Sequence, residues 1–278
     1  MNKFLLILII FFVIYILDSI LHKNIENYDD IINPIKHTTH INFNIPENNS
    51  NKTNSITIND IKMYVISLKH NDRLENIKKQ EEKIGTAIDI FNAVKGDFID
   101  LDELINNNIL YKNFNINNKH RNREIGCYLS HLNIMKGIKE DHIHKYTFIF
   151  EDDFNIKHDN FMNEVIKIIN NLEEYHVYFD FLYFGNLKDN HGNHVFDTIY
   201  HYDPNVRLWG CHGYLVNHRS IDKILDNLSY IDLAIDDKIE KLSREGVFTT
   251  LVIYPNMVEQ NSMKYTSTIR NMEVETFY

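Results

Sequence analysis

The sequence predicts an α/β domain built on a parallel sheet, and three consecutive segments carry this prediction. Residues 62–68 are mostly apolar and partly β-branched, as in a buried strand. Residues 73–84 repeat apolar side chains among charges and stop at Gly85, as an amphipathic helix does. Residues 87–94 form a second strand-like run. A strand, a helix and a strand in this order indicate a parallel βαβ unit, and sheets of this kind bind ligands at the carboxyl ends of their strands.

The amino-terminal segment is expected to anchor the chain in a membrane. Residues 4–17 are all apolar, and the run resumes after Asp18 and Ser19. Its length of about 18 residues lies between the core of a signal peptide and a spanning helix. We favour an uncleaved anchor over residues 1–23, because no small-x-small cleavage site follows, and a cleaved signal peptide is the alternative. Lysines flank both ends of the run, so charge does not decide its orientation.

Residues 24–60 are predicted to form a flexible polar stem in front of a globular domain, residues 61–278. The stem segment is rich in asparagine, contains two prolines and shows no helical or strand period. Two glycosylation sequons, at Asn48 and Asn51, would be used only in a secretory lumen.

Composition argues against several classes of protein. The chain has 39 acidic against 29 basic residues, a net charge of -10, so no broad basic surface is expected to follow a nucleic-acid backbone. The two cysteines, Cys127 and Cys211, lack the spacing of a zinc ribbon or a disulfide framework, and two small buried residues are the simpler interpretation. No His-Glu-x-x-His pair is present.

A longer helix is predicted over residues 124–139, with its apolar side chains on one face. It carries Ser130 and His131 one turn from Cys127, which raises the hypothesis of a Cys-His nucleophile pair. We do not favour it, because neighbours on one helix do not create a polarised cleft and no oxyanion-forming turn precedes them.

A predicted buried strand, residues 146–150, ends in three consecutive carboxylates, Glu151, Asp152 and Asp153. Adjacent negative charges repel one another unless a cation lies among them. Magnesium and manganese prefer oxygen ligands and commonly bridge carboxylates to substrate phosphates. The triplet therefore indicates either a divalent metal site or a solvated acidic turn, and by itself it does not separate the two.

The remainder of the chain continues the alternation of strands and helices. We predict helices at residues 159–172 and 219–228, strands at 179–184, 214–216 and 248–254, a loop or irregular hairpin at 186–206, and a polar tail after Pro255. The glycines beside Trp209 permit close backbone approach and fit a ligand wall or a bulge equally well. Asp236 and Asp237 begin another helix, where acids are also explained by capping and the helix dipole.

Together these segments resemble glycosyltransferase family 25, which includes lipopolysaccharide and procollagen galactosyltransferases. The resemblance covers Met63 to about Arg270 and rests on the order and spacing of five blocks: the first strand with Arg73, and residues 124–131, 149–153, 213–216 and 236–237. Such a family implies a GT-A fold, a Rossmann-like mixed sheet flanked by helices that binds a nucleotide-diphospho-sugar. Residues 61–278 would then be the catalytic domain, preceded by the hydrophobic anchor.

The resemblance also implies roles for residues. Glu151, Asp152 and Asp153 would hold Mn²⁺ or Mg²⁺ against the diphosphate of a UDP-sugar, and Asp237 or Asp236 would take the proton of the acceptor hydroxyl in an inverting reaction. Contacts to the donor or the metal are expected from Asn71, Arg73, Glu124, Ser130, His131 and Asp152. Galactose is the expected sugar, with glucose next, and the acceptor would be a hydroxyl on a glycan or a protein.

By analogy, an anchor and a stem before a single domain favour a single-pass membrane protein, with its catalytic domain in the ER or Golgi lumen or in a viral setting. Two other classes stay open. A metal-dependent phosphohydrolase or nucleotidyltransferase would turn over the nucleotide without an acceptor. A non-catalytic carbohydrate-binding protein on a transferase fold would show no saturable donor binding.

Overall fold

The computed structural model of the protein describes residues 55–261. The predicted anchor and nearly all of the predicted stem lie outside these residues, as does the segment 262–278. None of the helices between residues 55 and 261 combines the length and the hydrophobicity that a bilayer span requires.

A mixed sheet of eight strands runs through the described domain. In spatial order its strands are β2 (Asp89–Asn92), β1 (Ile61–Ser67), β3 (Tyr146–Glu151), β8 (Gly213–Asn217), β5 (Phe181–Tyr183), β9 (Thr250–Ile253), β7 (Ile199–His201) and β6 (His194–Phe196). Strand β1 is parallel to both β2 and β3, whereas β8 runs antiparallel between β3 and β5. The carboxyl ends of β1, β2 and β3 therefore meet at one edge of the sheet.

Helices cover both faces of this sheet. In residues 55–261 they are α1 (Asn71–Ile84), α2 (Leu101–Asn106), α3 (Arg121–Glu140), α4 (Phe161–Glu174), α5 (Ile221–Leu228) and α6 (Ile235–Arg244). Helices α1 and α4 contribute to one hydrophobic cluster, and α3, α5 and α6 contribute to the other. The prediction of an α/β domain with a large mixed sheet flanked by helices is confirmed.

The βαβ unit on which the prediction rested is β1, α1 and β2. Helix α1 ends where the sequence indicated, with Gly85 at a φ of 79°, a left-handed conformation that favours glycine. The alternation of side chains along β3 divides the two cores. Phe148 and Phe150 enter the cluster beneath α1 and α4, while Ile149 enters the cluster beneath α3.

Two parts of the chain add strands beyond the predicted βαβ core. Residues 194–201 form the β6–β7 hairpin, the hairpin alternative predicted for residues 186–206, which extends the sheet past β9. The expectation of a polar tail after Pro255 is wrong for β10 (Val258–Gln260), which pairs antiparallel with β4 (Phe154–Ile156). These strands have three residues each, too few to show a period in the sequence.

The glycines after Trp209 are explained in part by this small second sheet. A Cβ atom on Gly213 would lie 2.8 Å from the Val258 side chain, so the absence of a side chain lets β10 pack against the start of β8. At Gly213 the close approach is made by the chain itself rather than by a ligand.

Candidate active site

A cleft of about 490 Å³ opens at the edge of the sheet where β1, β2 and β3 end. We call it the main cleft. Its walls come from the segments that follow these strands, from α3 and from the end of β10. The lining residues are Ile66, Ser67, Leu68, His70, Ala93, Val94, Lys95, Gly96, Asp97, Arg123, Cys127, Ser130, His131, Glu151, Asp152, Asp153 and Gln260. The three predicted metal ligands, together with Ser130 and His131, therefore share one cleft.

The acid cluster, Glu151, Asp152 and Asp153, is divided between the two faces of the sheet. Glu151 is the last residue of β3, and its Oε1 lies 3.5 Å from Nε2 of His131 on α3. Asp152 and Asp153 instead contact Arg73 on α1. Glu151 ends the strand, and Asp152 and Asp153 form the turn that follows it, so both of these aspartates reach Arg73 on the same side.

Arg73 supplies a buried positive charge to the acid cluster. Its Nη1 lies 3.1 Å from Asp152 Oδ1 and 3.4 Å from Asp153 Oδ2, and the residue is only 3% exposed. Asp152 also accepts a hydrogen bond of 2.7 Å from the Ser67 hydroxyl at the end of β1. Arg73 is not among the residues that line the main cleft, so its visible role is to position the acidic turn.

Asp153 retains coordinating capacity. Its Oδ2 accepts a hydrogen bond of 3.1 Å from Gln260, but its Oδ1 is buried and has no hydrogen-bond partner among the described residues. A buried carboxylate oxygen left without a partner is costly. A divalent cation bound between Asp153 and Glu151 would satisfy it, so the residues present fit a hard metal ion.

The surroundings of the acid cluster disfavour the charged forms of its carboxyl groups. Burial raises the pKa of Glu151, and the neighbouring carboxylates of Asp153 and Asp236 raise it further, against the lowering effect of His131. Burial also raises the pKa of Asp152, although Ser67 and Arg73 lower it. The raised pKa values persist despite the contact with Arg73, and a cation bound among these carboxylates would stabilise their charged forms.

Of the site residues predicted on helix α3, Ser130 and His131 line the main cleft and Glu124 does not. The Ser130 hydroxyl accepts a hydrogen bond of 2.8 Å from the Val94 backbone amide, which ties the wall after β2 to the helix. Glu124 accepts hydrogen bonds from Asn115 and Asn118 and does not line the main cleft. Arg123, its neighbour, does line it.

The loop after β1 contributes a different residue from the two that the sequence indicated. Asn71 is exposed at the start of α1 and does not line the main cleft. His70, one residue earlier, does. Arg73 is buried beneath the acid cluster, so Leu68 and His70 are the residues of this loop that line the main cleft.

Asp236 and Asp237 lie in the first turn of α6 and have different neighbours. Asp236 accepts a backbone hydrogen bond of 3.4 Å from Gly210, and burial and the Asp237 charge raise its pKa. Asp237 pairs with Arg207 and lines a second cleft of about 500 Å³. Asp236 is not among the residues that line either cleft, but it is the one of the two whose charge raises the pKa of Glu151, after the larger effect of burial.

Six polar residues of the main cleft carried no role in the sequence prediction: Ser67, His70, Lys95, Asp97, Arg123 and Gln260. Lys95 follows β2, and a basic residue after a parallel strand was a signal that could have been used. Gln260 could not have been found in this way, because only the pairing of β10 with β4 brings it to Asp153.

A comparison with protein families finds one model that matches residues 60–239, that of glycosyltransferase family 25, described as an LPS biosynthesis protein family. A comparison with curated proteins found no match. The family match covers well over half of the chain and includes the acid cluster, helix α3 and both aspartates of α6. The chain therefore belongs to glycosyltransferase family 25 and is a glycosyltransferase.

Proposed function

We propose that this glycosyltransferase moves a hexose, with galactose as the first candidate, from a UDP-sugar to a hydroxyl group of a glycan or protein. The proposal includes a GT-A type of donor binding, a divalent metal ion and inversion at the anomeric carbon. The observation that carries it is the acid cluster in the main cleft at the carboxyl ends of β1 and β3, where Asp153 Oδ1 is buried and accepts no hydrogen bond from residues 55–261.

The main cleft suits a nucleotide sugar in size and in charge. Its volume of about 490 Å³ is that of a site for a cofactor-sized molecule. Lys95 and Arg123 provide positive charge beside the acid cluster, so a diphosphate would meet two basic side chains as well as a metal held by Glu151 and Asp153. The ion, Mn²⁺ or Mg²⁺, would supply a Lewis acid that neutralises charge on the departing diphosphate.

Asp236 is our candidate for the base that accepts the proton of the acceptor hydroxyl. Its burial and its raised pKa support this role, because a base with a pKa nearer to neutral is more effective than an ordinary carboxylate. Asp237, which is paired with Arg207 at the second cleft, would contact the acceptor or support α6. The membrane anchor over residues 1–23 and a lumenal catalytic domain stay predictions.

The test is release of UDP by the full chain with a panel of nucleotide sugars and sugar acceptors, with Mn²⁺ and with a chelator. We expect release that needs one donor, an acceptor and the metal, and that Asp153→Ala reduces by about 10²-fold or more, the scale of losing a transition-state charge stabiliser. Asp159→Ala is the matched control, because Asp159 is exposed and lies outside the main cleft.

Release that proceeds equally without an acceptor would contradict transfer and favour a phosphohydrolase. Metal-independent release, or an Asp153→Ala variant as active as Asp159→Ala, would contradict the metal site while leaving the family assignment intact.

A further inference from the structure

Cys127, His131 and Glu151 bring three different metal-binding groups together. One ligand atom from each, the Cys127 Sγ, a ring nitrogen of His131 and a carboxylate oxygen of Glu151, lies within 4.8 Å of the other two. Cys127 and His131 are one helical turn apart on α3, so they occupy the same face of the helix. Glu151 reaches them from the end of β3. All three line the main cleft, so an ion can enter from solvent.

His131 is prepared for a ligand on one of its two nitrogens. The residue is fully buried, and its Nδ1 lies 2.8 Å from the Tyr214 hydroxyl, which fixes the ring. Its Nε2 makes no hydrogen bond to any described residue and lies 3.5 Å from Glu151 Oε1. In metal sites the second nitrogen of a histidine ligand is usually held by a neighbouring polar group, as Tyr214 holds Nδ1 here.

The charges around this group favour a cation. Asp153 and Asp236 add negative charge near Cys127 and Glu151. The buried cation of this region, Arg73, contacts Asp152 and Asp153 on the α1 side of the sheet. On the α3 side, Glu151 lies 3.5 Å from the His131 imidazole, which binds a metal ion in its neutral form.

We propose that Cys127, His131 and Glu151 form a binding site for a borderline divalent cation of the zinc class, with thiolate, imidazole and carboxylate ligands. Ligand atoms around a tetrahedral zinc ion lie about 3.3 to 3.8 Å apart, given bond lengths of about 2.0 to 2.3 Å. Side-chain movements of about 1 Å would therefore close the present separations to that geometry. Binding releases the Cys127 proton to solvent and leaves a fourth position open towards the main cleft.

The ligand set separates this site from the manganese or magnesium site of the proposed function. A thiolate and an imidazole select zinc or cobalt over manganese or magnesium. Glu151 belongs to both ligand sets, so the two kinds of ion compete. Zinc is expected to bind roughly tenfold or more tightly than manganese, in line with the usual order of affinities at nitrogen and sulfur ligands.

Cobalt titration of the purified full chain tests the site without any measurement of transfer. We expect one equivalent of Co²⁺ to produce a thiolate-to-cobalt charge-transfer band in the near ultraviolet, which zinc abolishes and an equal concentration of Mg²⁺ does not. Cys127→Ser should lose the band, and Glu151→Gln should weaken binding by about tenfold or more. Cys211→Ala, which changes the other cysteine of the chain, should keep the band.

A second measurement needs no variant. Saturating zinc should slow maleimide labelling of Cys127 in the unaltered chain by about tenfold or more, since a metal-bound thiolate is shielded from the reagent. An absent charge-transfer band, or a labelling rate that zinc leaves unchanged, would overturn the proposal. Because neither readout involves sugar transfer, failure of the proposed function would leave this site unaffected.

Discussion

Asp236 and Asp237 are adjacent in sequence, but their side chains have different neighbours and different burial. Asp236 is half-buried and accepts backbone hydrogen bonds from Gly210 and Asp237, while Asp237 is paired with the exposed Arg207. The pKa of Asp236 is raised, first by burial and then by the Asp237 charge. The sequence prediction named Asp237, or its neighbour Asp236, as the base, and the different surroundings of the two side chains lead us to propose Asp236.

We expect Asp236→Asn to lower kcat by about 10² to 10⁴-fold, the usual contribution of a general base, and to leave donor binding intact. Asp237→Asn should lower kcat by less than about tenfold and act mainly on the KM of the acceptor. Steady-state kinetics with donor binding by calorimetry separates the two effects. Equal losses of kcat in both variants would contradict the assignment of the base to Asp236.

Arg73 is the second residue whose role depends on its neighbours. Its removal would leave Asp152 and Asp153 buried without their cation. We expect Arg73→Ala to reduce the free energy of unfolding by about 3 to 5 kcal/mol, as for other broken buried pairs. Urea unfolding measures this, with Lys139→Ala as the control, because the exposed and solvent-screened Lys139–Asp222 pair should contribute little to stability.

Adding Asp152→Asn to the Arg73 variant should restore part of the lost stability, since one of the two uncompensated charges is then removed. A double variant less stable than Arg73→Ala would show that Arg73 acts through other contacts.

At the scale of elements, the packing of α3 against the segment after β2 shapes one wall of the main cleft. A Cβ atom on Gly126 would lie 2.5 Å from the Val94 carbonyl oxygen, so the helix can approach this closely only because position 126 has no side chain. The Ser130 hydroxyl adds the hydrogen bond to the Val94 amide. Gly137, three turns further along the same helix, is exposed and has open space around it.

These two glycines make a matched pair. We expect Gly126→Ala to destabilise the protein by about 1 to 3 kcal/mol, the usual cost of overpacking, and to raise the KM of the donor. Gly137→Ala should instead stabilise it by about 0.5 to 1 kcal/mol, because alanine is the better helix former. Chemical denaturation of both variants is the measurement, and a Gly126→Ala protein as stable as Gly137→Ala would contradict the close approach.

At the scale of the whole molecule, buried histidines make stability depend on pH. His212 lies at the start of β8 beside the β4–β10 sheet, and burial lowers its pKa to about 4. The pKa of His218 is lowered to about 4 for the same reason. In the unfolded chain these histidines have the ordinary pKa of about 6.5. Between about pH 6.5 and about pH 4 the unfolded chain therefore binds protons that the folded chain does not. The free energy of unfolding should therefore fall as the pH falls from about 6.5 towards about 4.

For His212 alone this amounts to about 2 kcal/mol between about pH 7 and about pH 5. Urea unfolding at the two pH values should show this loss in the unaltered protein, and a smaller loss in His212→Asn. The same loss in both proteins would mean that His212 is not responsible. Asp60→Asn is expected to leave this interval unchanged, because the lowered pKa of Asp60 lies further below it.

Much of the fold and part of the site followed from local features of the sequence. Apolar periodicity and a helix-ending glycine are signals that extend over only a few residues. They were sufficient to predict the strands β1 and β3, the helices α1 and α3 and the end of α1 at Gly85. The acidic triplet and its place at the end of a strand were visible for the same reason. The resemblance to family 25, which the family comparison bears out, rested on these local blocks in their order.

The sequence by itself therefore determined the class of fold, the family and the position of the acid cluster along the chain. Only the tertiary structure decided that Glu151 faces His131 while Asp152 faces Arg73, and that Gln260 completes the surroundings of Asp153. The physical reason is the range of the interactions. The spacing of apolar residues and the capping of helices depend on neighbours along the chain. Charge pairing and burial depend instead on the order of the strands and on the face of the sheet that a side chain occupies, which bring together residues far apart in sequence.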